Sequence, residues 1–547
     1  MKLLKSSLLA SAAGLAAVAG AQAADLPVKK AAPIEYVRIC SAYGAGFFYI
    51  PGTDTCLRVS GRARLELGYQ PTYSRQNGSG YGDTTGYQGR MRINLDARTQ
   101  TAYGTLRAFV RLDAGSRSGY GGMNSGTQQR IAQAYPALGV DGFGRLQQFS
   151  NVDKAFVQFA GFTAGRASSF FDFYAHDFEF IAATAGSDVS STNLAAYTAT
   201  IGNGFSATIS MEDPSFRRTP VFSPTANPSA AVVNSNLANF GLSNSPVPVF
   251  IGYNAAGVPT RYSFVDAIER NRLPDFVGVL RYDAPWGSAQ LSAAVHESNV
   301  GNVANGAGTG AGTNVGIAHT SSEYGYAVQG GVKVNLPFIA PGDTLYLQGA
   351  YAVGAQSYTG YSNYSGSYAQ SAITIQGQGF SQYFSDAVIN PFTGQMSLSE
   401  TFAVVGSYLH YWSPEFRSAF FGSYGEQSFG AGVRAGQGNA FTVTGLGGSN
   451  AVGTPGTRFF ALSQAIRDTY QIVAGASLIW SPVKDLDIGL EGMYTQIGVS
   501  NGRVINVDKD PTAYSAARIA SINAGGFVRT QASDEVFQVR ARVQRDF

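Results

Sequence analysis

The last thirteen residues of this chain, EVFQVRARVQRDF (535–547), alternate in type almost without a break. Phe537, Val539, Ala541, Val543 and Phe547 share one phase, interrupted only by Arg545; Gln538, Arg540, Arg542, Gln544 and Asp546 share the other. Period-two alternation marks a strand whose two faces meet unlike surroundings, one apolar and one wet. On that ground alone a soluble sandwich and a barrel set between lipid and water are both open.

The other end of the chain narrows the choice. Residues 1–23, MKLLKSSLLASAAGLAAVAGAQA, carry a basic start (Lys2, Lys5), an apolar stretch from Leu8 to Ala19 and an Ala21-Gln22-Ala23 cleavage motif. This is an export signal, too short for a spanning helix, and cleavage after Ala23 would leave Ala24 as the mature start. No later segment offers the roughly 18 uninterrupted apolar residues that a membrane helix needs. An exported chain rich in Gly (67), Phe (35) and Tyr (30), with only 13% charged residues, fits a strand barrel in an outer membrane. The net charge is +3, or +1 without Lys2 and Lys5, which argues against a partner such as nucleic acid.

Cys40 and Cys56 are the two cysteines. In an oxidising compartment a disulfide between them is expected, closing a loop of about 15 residues for on the order of 3 kcal/mol. Neither has the His or further Cys neighbours of a metal site, and no metal or cofactor is expected.

Sixteen alternating segments follow, near 57–69, 88–98, 103–113, 151–160, 161–167, 192–201, 204–212, 275–283, 287–297, 323–336, 342–354, 400–412, 414–425, 469–481, 484–496 and 535–547. Their connections alternate between short and long throughout. The long ones cover 70–87, 114–150, 168–191, 213–274, 298–322, 355–399, 426–468 and 497–534. A soluble sandwich has no reason to send every long loop to one end, whereas an outer-membrane barrel has periplasmic turns and extracellular loops. Trp286, Trp412 and Trp480 all fall at short turns, as a periplasmic aromatic girdle would. Gly- and Ser-rich stretches such as 302–316 and 436–455 read as solvated loops with no chemistry of their own. Helix is expected to be minor, in the third and other loops. The expected organisation is a signal peptide (1–23), a periplasmic tail and disulfide loop (24–56) and a sixteen-stranded antiparallel transmembrane barrel (57–547).

Strand parity assigns faces. Leu57, Val59, Ala63, Leu65, Leu67 and Tyr69 take the lipid side of the first strand, leaving Arg58, Arg62, Arg64 and Glu66 inside. The second strand turns Met91, Ile93, Leu95 and Ala97 outward and Arg90, Arg92, Asn94, Asp96 and Arg98 inward. The third turns Leu106, Ala108, Val110 and Leu112 outward and Arg107, Arg111 and Asp113 inward. Three strands thus place eight arginines on one inner wall and none on the lipid face, where each would cost roughly 2–4 kcal/mol at mid-bilayer. The loop at 168–191 is aromatic and acidic together, FFDFYAHDFEFIAATAGSD. A loop so apolar is expected to fold back into the barrel, setting Asp172, Asp177, Glu179 and Asp188 against the arginine wall; a packed hairpin tip or subunit-contact loop is the alternative.

The mature start ADLPVKK, the block EYVRICSAYGAGFFYIPGTDTCLRVSGRAR (35–64) and the terminal VFQVRARVQRDF resemble the alphaproteobacterial general porins, sixteen-stranded trimers of rhizobia, Brucella and their relatives. The resemblance spans the barrel; the outer loops look individual. It implies passive diffusion of small hydrophilic solutes, a constriction at the third loop, and a homotrimer, for which outward Ala63, Ala97 and Ala108 offer a close-packing wall. Terminal Phe547 resembles the signal read by the barrel-assembly machinery. The Ala24-Asp25 start resembles that of barrels joined through their N-terminal amine to peptidoglycan, and 24–35 could serve as the tether. Outer-membrane lipid and lipopolysaccharide complete the expected partners. The fourth loop (213–274), with Arg217, Arg218, Arg261, Arg270 and Arg272, is long enough to cover part of the mouth. A substrate-selective channel is a rival, and an adhesin role for the loops leaves no mark in sequence. A barrel enzyme fares worse: His176, His296, His319 and His410 sit in no nucleophile motif, and no catalytic residues are expected.

Overall fold

The structure is a computed structural model that describes residues 38–71, 84–119, 138–139, 146–189, 191–219, 221, 246–257, 259–266, 271–300, 322–361, 371–372, 379, 382–444 and 452–547. The signal peptide, Ala24 and the 24–35 tail lie outside them, as does the 302–316 stretch. The chain divides into two compact units, Met1–Leu57 and Arg58–Phe547.

In the first unit Cys40 and Cys56 form the expected disulfide, sixteen positions apart. Phe48–Tyr49 pairs antiparallel with Cys56 and Leu57, and Phe47 packs beside the buried disulfide. The Arg38 guanidinium lies 4.6 Å from the Tyr49 ring centroid. The bridge thereby closes a small, self-contained loop.

The second unit is a closed barrel. Its sixteen strands are β1 (Cys56–Tyr69), β2 (Thr85–Thr101), β3 (Gly104–Gly119), β4 (Gln147–Phe159), β5 (Phe162–Ala167), β6 (Thr192–Gly202), β7 (Phe205–Glu212) and β8 (Asp275–Ala284). They continue as β9 (Gly287–Asn299), β10 (Ser322–Asn335), β11 (Thr344–Val353), β12 (Glu400–Tyr411), β13 (Phe416–Ser428), β14 (Thr469–Val483), β15 (Leu486–Val499) and β16 (Ser533–Asp546). Each pairs with the next, and β16 returns to β1 from Arg62↔Asp546 to Tyr69↔Val539. Closure leaves no unpaired edge, which a lipid surround requires.

The pleat sorts side chains as the alternation demands. Val59, Leu65, Leu67, Met91, Ile93, Leu95, Leu106, Leu112, Phe537 and Val543 are all exposed, while Arg540, Gln538 and Gln544 are buried. A continuous apolar exterior of this size belongs against hydrocarbon. Strands β2, β3 and β4 run several residues beyond their expected ends. Those extensions (Gly86, Gly115 and Ser116 among them) carry no hydrophobic period, yet the backbone ladder continues through Gly86↔Gly119 and Arg117↔Gln147.

Short turns and long loops alternate as expected. At β6–β7, Asn203 and Gly204 both have positive φ (52° and 87°), the conformation a two-residue hairpin loop selects. Two expectations about the loops need correction. The third loop holds no helix among the described residues; helices lie instead at α1 (Val433–Thr444), α2 (Arg458–Leu462) and α3 (Ala516–Asn523). Nor are the last outer loops merely solvated. Tyr383, Val388, Val433, Val452, Ala465 and Ile466 form one buried apolar cluster, and Phe459, Ile505, Ala513, Ile522 and Val528 another.

Candidate pore constriction

The segment 168–191 leaves β5 and turns into the barrel. Its apolar residues become a packing surface against the inner wall, with Phe171 and Tyr174 fully buried. Polar wall residues then satisfy the loop's backbone, as burial requires. The Phe171 carbonyl accepts from Ser292 (3.0 Å) and Gln329 (2.9 Å), and Gln290 donates to the Asp172 carbonyl (3.1 Å). The Tyr174 amide donates to Gln348 (2.8 Å), the Ala185 amide to Ser423 (2.8 Å), and the Phe180 and Ile181 amides to the Glu491 carboxylate (2.6 and 2.8 Å). The loop is thus fastened along β9, β10, β11, β13 and β15.

Two inward glycines make room for it. A Cβ on Gly331 would lie 2.4 Å from the Phe173 ring, and one on Gly489 would lie 2.5 Å from the Phe180 ring. These sockets on β10 and β15 are legible only once the loop is seen to dock there; the sequence offers no separate signal for them.

Across the lumen stands the basic wall of β1–β4. Arg90 and Arg92 share Asp113 (2.7 and 2.9 Å), and Arg98 and Arg107 share Asp96 (2.8 and 2.9 Å). Arg62 pairs with Asp546 (2.6 Å), Arg64 donates to Gln544 (2.6 Å), and Arg111 donates to Asn94 (2.8 Å) and approaches Asp153 (3.5 Å). Arg58 is exposed. Seven of the eight arginines are therefore held in fixed directions by carboxylate and amide partners; Arg58 is not among them.

Beyond the three strands whose faces the sequence assigns, the wall has further members. Asp153 and Lys154 both face inward because the β3–β4 ladder shifts register between Arg111 and Leu112, an irregularity that reverses the strand's phase. Lys154 donates to Ser168 (2.5 Å) at the loop's entry. At the loop's far end Arg542 pairs with Glu66 (2.5 Å) and donates to the Phe180 carbonyl (3.0 Å), its guanidinium 4.1 Å from the Phe180 ring centroid. Arg542 was legible in the alternating tail; the irregular step in β4 was not.

The loop acids divide. Asp172 accepts from Ser187 and the Val189 amide and pairs with Arg217 (2.7 Å). Glu179 accepts from the Tyr174 hydroxyl (2.8 Å) and Thr184 (2.5 Å); burial and this carboxylate push the Tyr174 phenol well up, so it stays a donor. Asp188 lies 3.4 Å from His176. These three carboxylates hold the loop together. Asp177 is exposed to the lumen, where it accepts from Tyr346 (3.2 Å).

The remaining expected positions are also located. Trp286 and Trp412 are exposed at the β8–β9 and β12–β13 turns, and Trp480 is exposed inside β14, which runs on to Val483. Ala63 and Ala108 are exposed on the outer face and Ala97 is half-buried, directly opposite Ala108 in the ladder. Phe547 sits at the end of the closing strand. Among the described residues no cluster of His, Cys, Asp or Glu is suited to a metal.

A closed strand barrel with an apolar exterior, a charged lumen and a loop folded inside it defines an outer-membrane channel. The chain belongs to the porin subfamily, whose family model matches residues 25–523. It is similar to the porin Omp2b of Brucella suis, 31% identical over 376 residues that make up 67% of this chain and 78% of that one. It is 37% identical to the porin Omp2b of Brucella abortus (strain 2308) over 217 residues, 38% of this chain and 54% of that relative. Among solved structures, the outer membrane channel DcaP of Acinetobacter baumannii matches with a TM-score of 0.48 at 13% identity, over 91% of this chain and 99% of that one. The family makes this protein an outer-membrane porin channel.

Proposed function

We propose that the protein is a passive channel for small hydrophilic solutes, constricted by the 168–191 loop, that prefers anions. One observation carries the sign: three of the four loop acids are consumed by the loop's own donors and by Arg217 of the fourth loop. Around the passage, Arg64, Arg90, Arg92, Arg111, Lys154 and Arg542 then outnumber Glu66, Asp113, Asp153 and the exposed Asp177. Fixed charges of one sign lining a narrow aqueous path favour the opposite ion. A planar-bilayer recording in a potassium chloride gradient tests the reading. The reversal potential is expected on the chloride side; a cation-side value would overturn the assignment.

The working unit is proposed to be a homotrimer in contact with outer-membrane lipid and lipopolysaccharide. Its subunits would meet on the wall of Ala63, Ala97 and Ala108, where small side chains allow close approach. Heat-sensitive oligomer bands on a gel would support this, and a single monomer mass in detergent would count against it. Export is proposed to end with cleavage after Ala23, and the barrel-assembly machinery to read Phe547. The freed Ala24 amine is a candidate attachment point for peptidoglycan. Digestion of purified sacculi would yield a peptide that begins at Ala24 and carries a muropeptide mass if the link exists, and only free Ala24 amines if it does not.

A further inference from the structure

We propose that Arg217, in the fourth loop, is the positioning residue of the constriction: it clamps the two limbs of the third loop where they leave the barrel wall. The inference rests on 168–191 being the constriction. Arg217 follows a short 3-10 turn, Pro214–Phe216, mounted on the end of β7. That mount is rigid. Asp213 caps the turn by accepting from the Ser215 amide (3.0 Å), its own amide donates to the Asn193 carbonyl (2.9 Å), and its carbonyl accepts from Thr192 (3.1 Å). The Arg217 amide closes the turn onto the Pro214 carbonyl (2.8 Å).

From this mount the side chain, 1% exposed, reaches both limbs at once. It donates to Ser169 (2.9 Å) and Asp172 (2.7 Å) on the entering limb, and to Ser187 (2.5 Å) on the returning one. Asp172 bridges the same two limbs through Ser187 and the Val189 amide. A planar fork with fixed donors suits such a task, whereas a flexible ammonium does not. The guanidinium is backed by Tyr358 of the sixth loop, 4.2 Å from its ring centroid, and the Tyr358 hydroxyl is held by Asp275 (2.6 Å) at the start of β8. Burial alone would make Arg217 less basic; Asp172 and its neighbours outweigh that and hold it above its ordinary value, so the clamp stays charged.

Two other ties join the limbs at their root, the Ser169 amide to the Val189 carbonyl (2.9 Å) and Asp172 to Ser187 and the Val189 amide; Arg217 is the side chain that holds both limbs from the neighbouring fourth loop, and it fixes Asp172 in its bridging position. Loss of the clamp should therefore widen the loop's range of positions without touching the sixteen-strand ladder. The test is single-channel recording and liposome swelling with sugars of graded size, on wild type, Arg217→Met, Arg217→Lys and, as control, Arg434→Met, which removes a half-buried, hydrogen-bonded arginine from an outer loop. Arg217→Met is expected to raise conductance, current noise and the largest sugar admitted. Arg217→Lys should recover part of each, Arg434→Met should match wild type, and heat-modifiability on a gel should be unchanged. Should Arg217→Met not assemble, Ser169→Ala with Ser187→Ala removes two of the loop contacts and carries the same expectation. Wild-type conductance, noise and size limit in either variant would overturn the proposal, as would equal behaviour of the Lys and Met variants. A wild-type protein that forms no channel at all would instead reject the porin reading beneath it.

Discussion

Gly61 and Phe547 close the barrel by exchanging two backbone hydrogen bonds, 2.9 Å from the Gly61 amide and 3.1 Å from the Phe547 amide, while the terminal ring covers the glycine. A Cβ at position 61 would stand 2.4 Å from the ring and 2.5 Å from the Arg92 carbonyl oxygen. Overpacking of this kind costs typically 1–3 kcal/mol. Gly61→Val is accordingly expected to lower the yield of folded, heat-modifiable barrel, and shortening the terminal side chain (Gly61→Val with Phe547→Ala) should recover little, because the clash with the β2 backbone remains. Densitometry of folded and unfolded bands checks this; wild-type yield in the single variant would contradict it.

Asp113 sets how much positive charge the wall presents, since Arg90 and Arg92 both spend a guanidinium on it. Asp113→Asn frees one net charge and should move the reversal potential further toward the anion. Arg90→Gln with Arg92→Gln should move it toward the cation. Asp113 is buried, so removing its charge costs on the order of 3–5 kcal/mol, and the potential is read on the folded, heat-modifiable fraction of each variant. Reversal potentials that stay put in both variants would mean that this wall does not govern selectivity.

The docking of the third loop yields a prediction from its sockets. Gly331→Val would drive a side chain into Phe173, and Gly489→Val would do the same to Phe180. At about 1–3 kcal/mol for an overpacked contact, the loop should yield before the ladder does. Each variant is expected to change single-channel conductance in a folded barrel. Adding Phe173→Ala to Gly331→Val should restore the wild-type value, and failure of that pair to restore it would count against the socket.

These cases mark where sequence reading succeeds and where it stops. The strand count and the inward phase of the paired arginines Arg62, Arg64, Arg90, Arg92, Arg98, Arg107 and Arg111 follow from alternation, because lipid forbids charge on one face and the pleat carries that rule along every strand. The sequence assigns faces on the first three strands only, and on the fourth simple alternation would not place both Asp153 and Lys154 inside, because one irregular step in the ladder reverses the phase there. The loop acids misled for another reason. Their number was readable, but whether a carboxylate faces water or its own loop depends on backbone amides and on Ser187, Thr184 and His176, which sequence does not place. The outer loops were misjudged because Gly- and Ser-rich stretches surround short apolar segments that pack only against one another.

Asp386 supplies a pH dependence outside the spanning strands. It is fully buried in the sixth loop, where its carboxylate accepts from the Thr219 amide (2.7 Å) and the Gln356 amide (2.9 Å), with His296 Nε2 3.9 Å away. It thereby ties the sixth loop to the fourth, two residues from Arg217. Burial raises its pKa above the ordinary carboxylate range, against the opposing pull of His296 and the Thr219 amide. The folded state therefore holds this proton to higher pH than the unfolded loop does. The resulting stabilisation is complete below the unfolded value and is lost as pH rises through the folded one. Opening of the segment around 382–389, measured by hydrogen exchange corrected for its intrinsic pH dependence, should become easier across that window. Asp386→Asn, which keeps an acceptor but cannot ionise, should flatten the profile. An identical slope in wild type and variant would show that the proton is bound elsewhere.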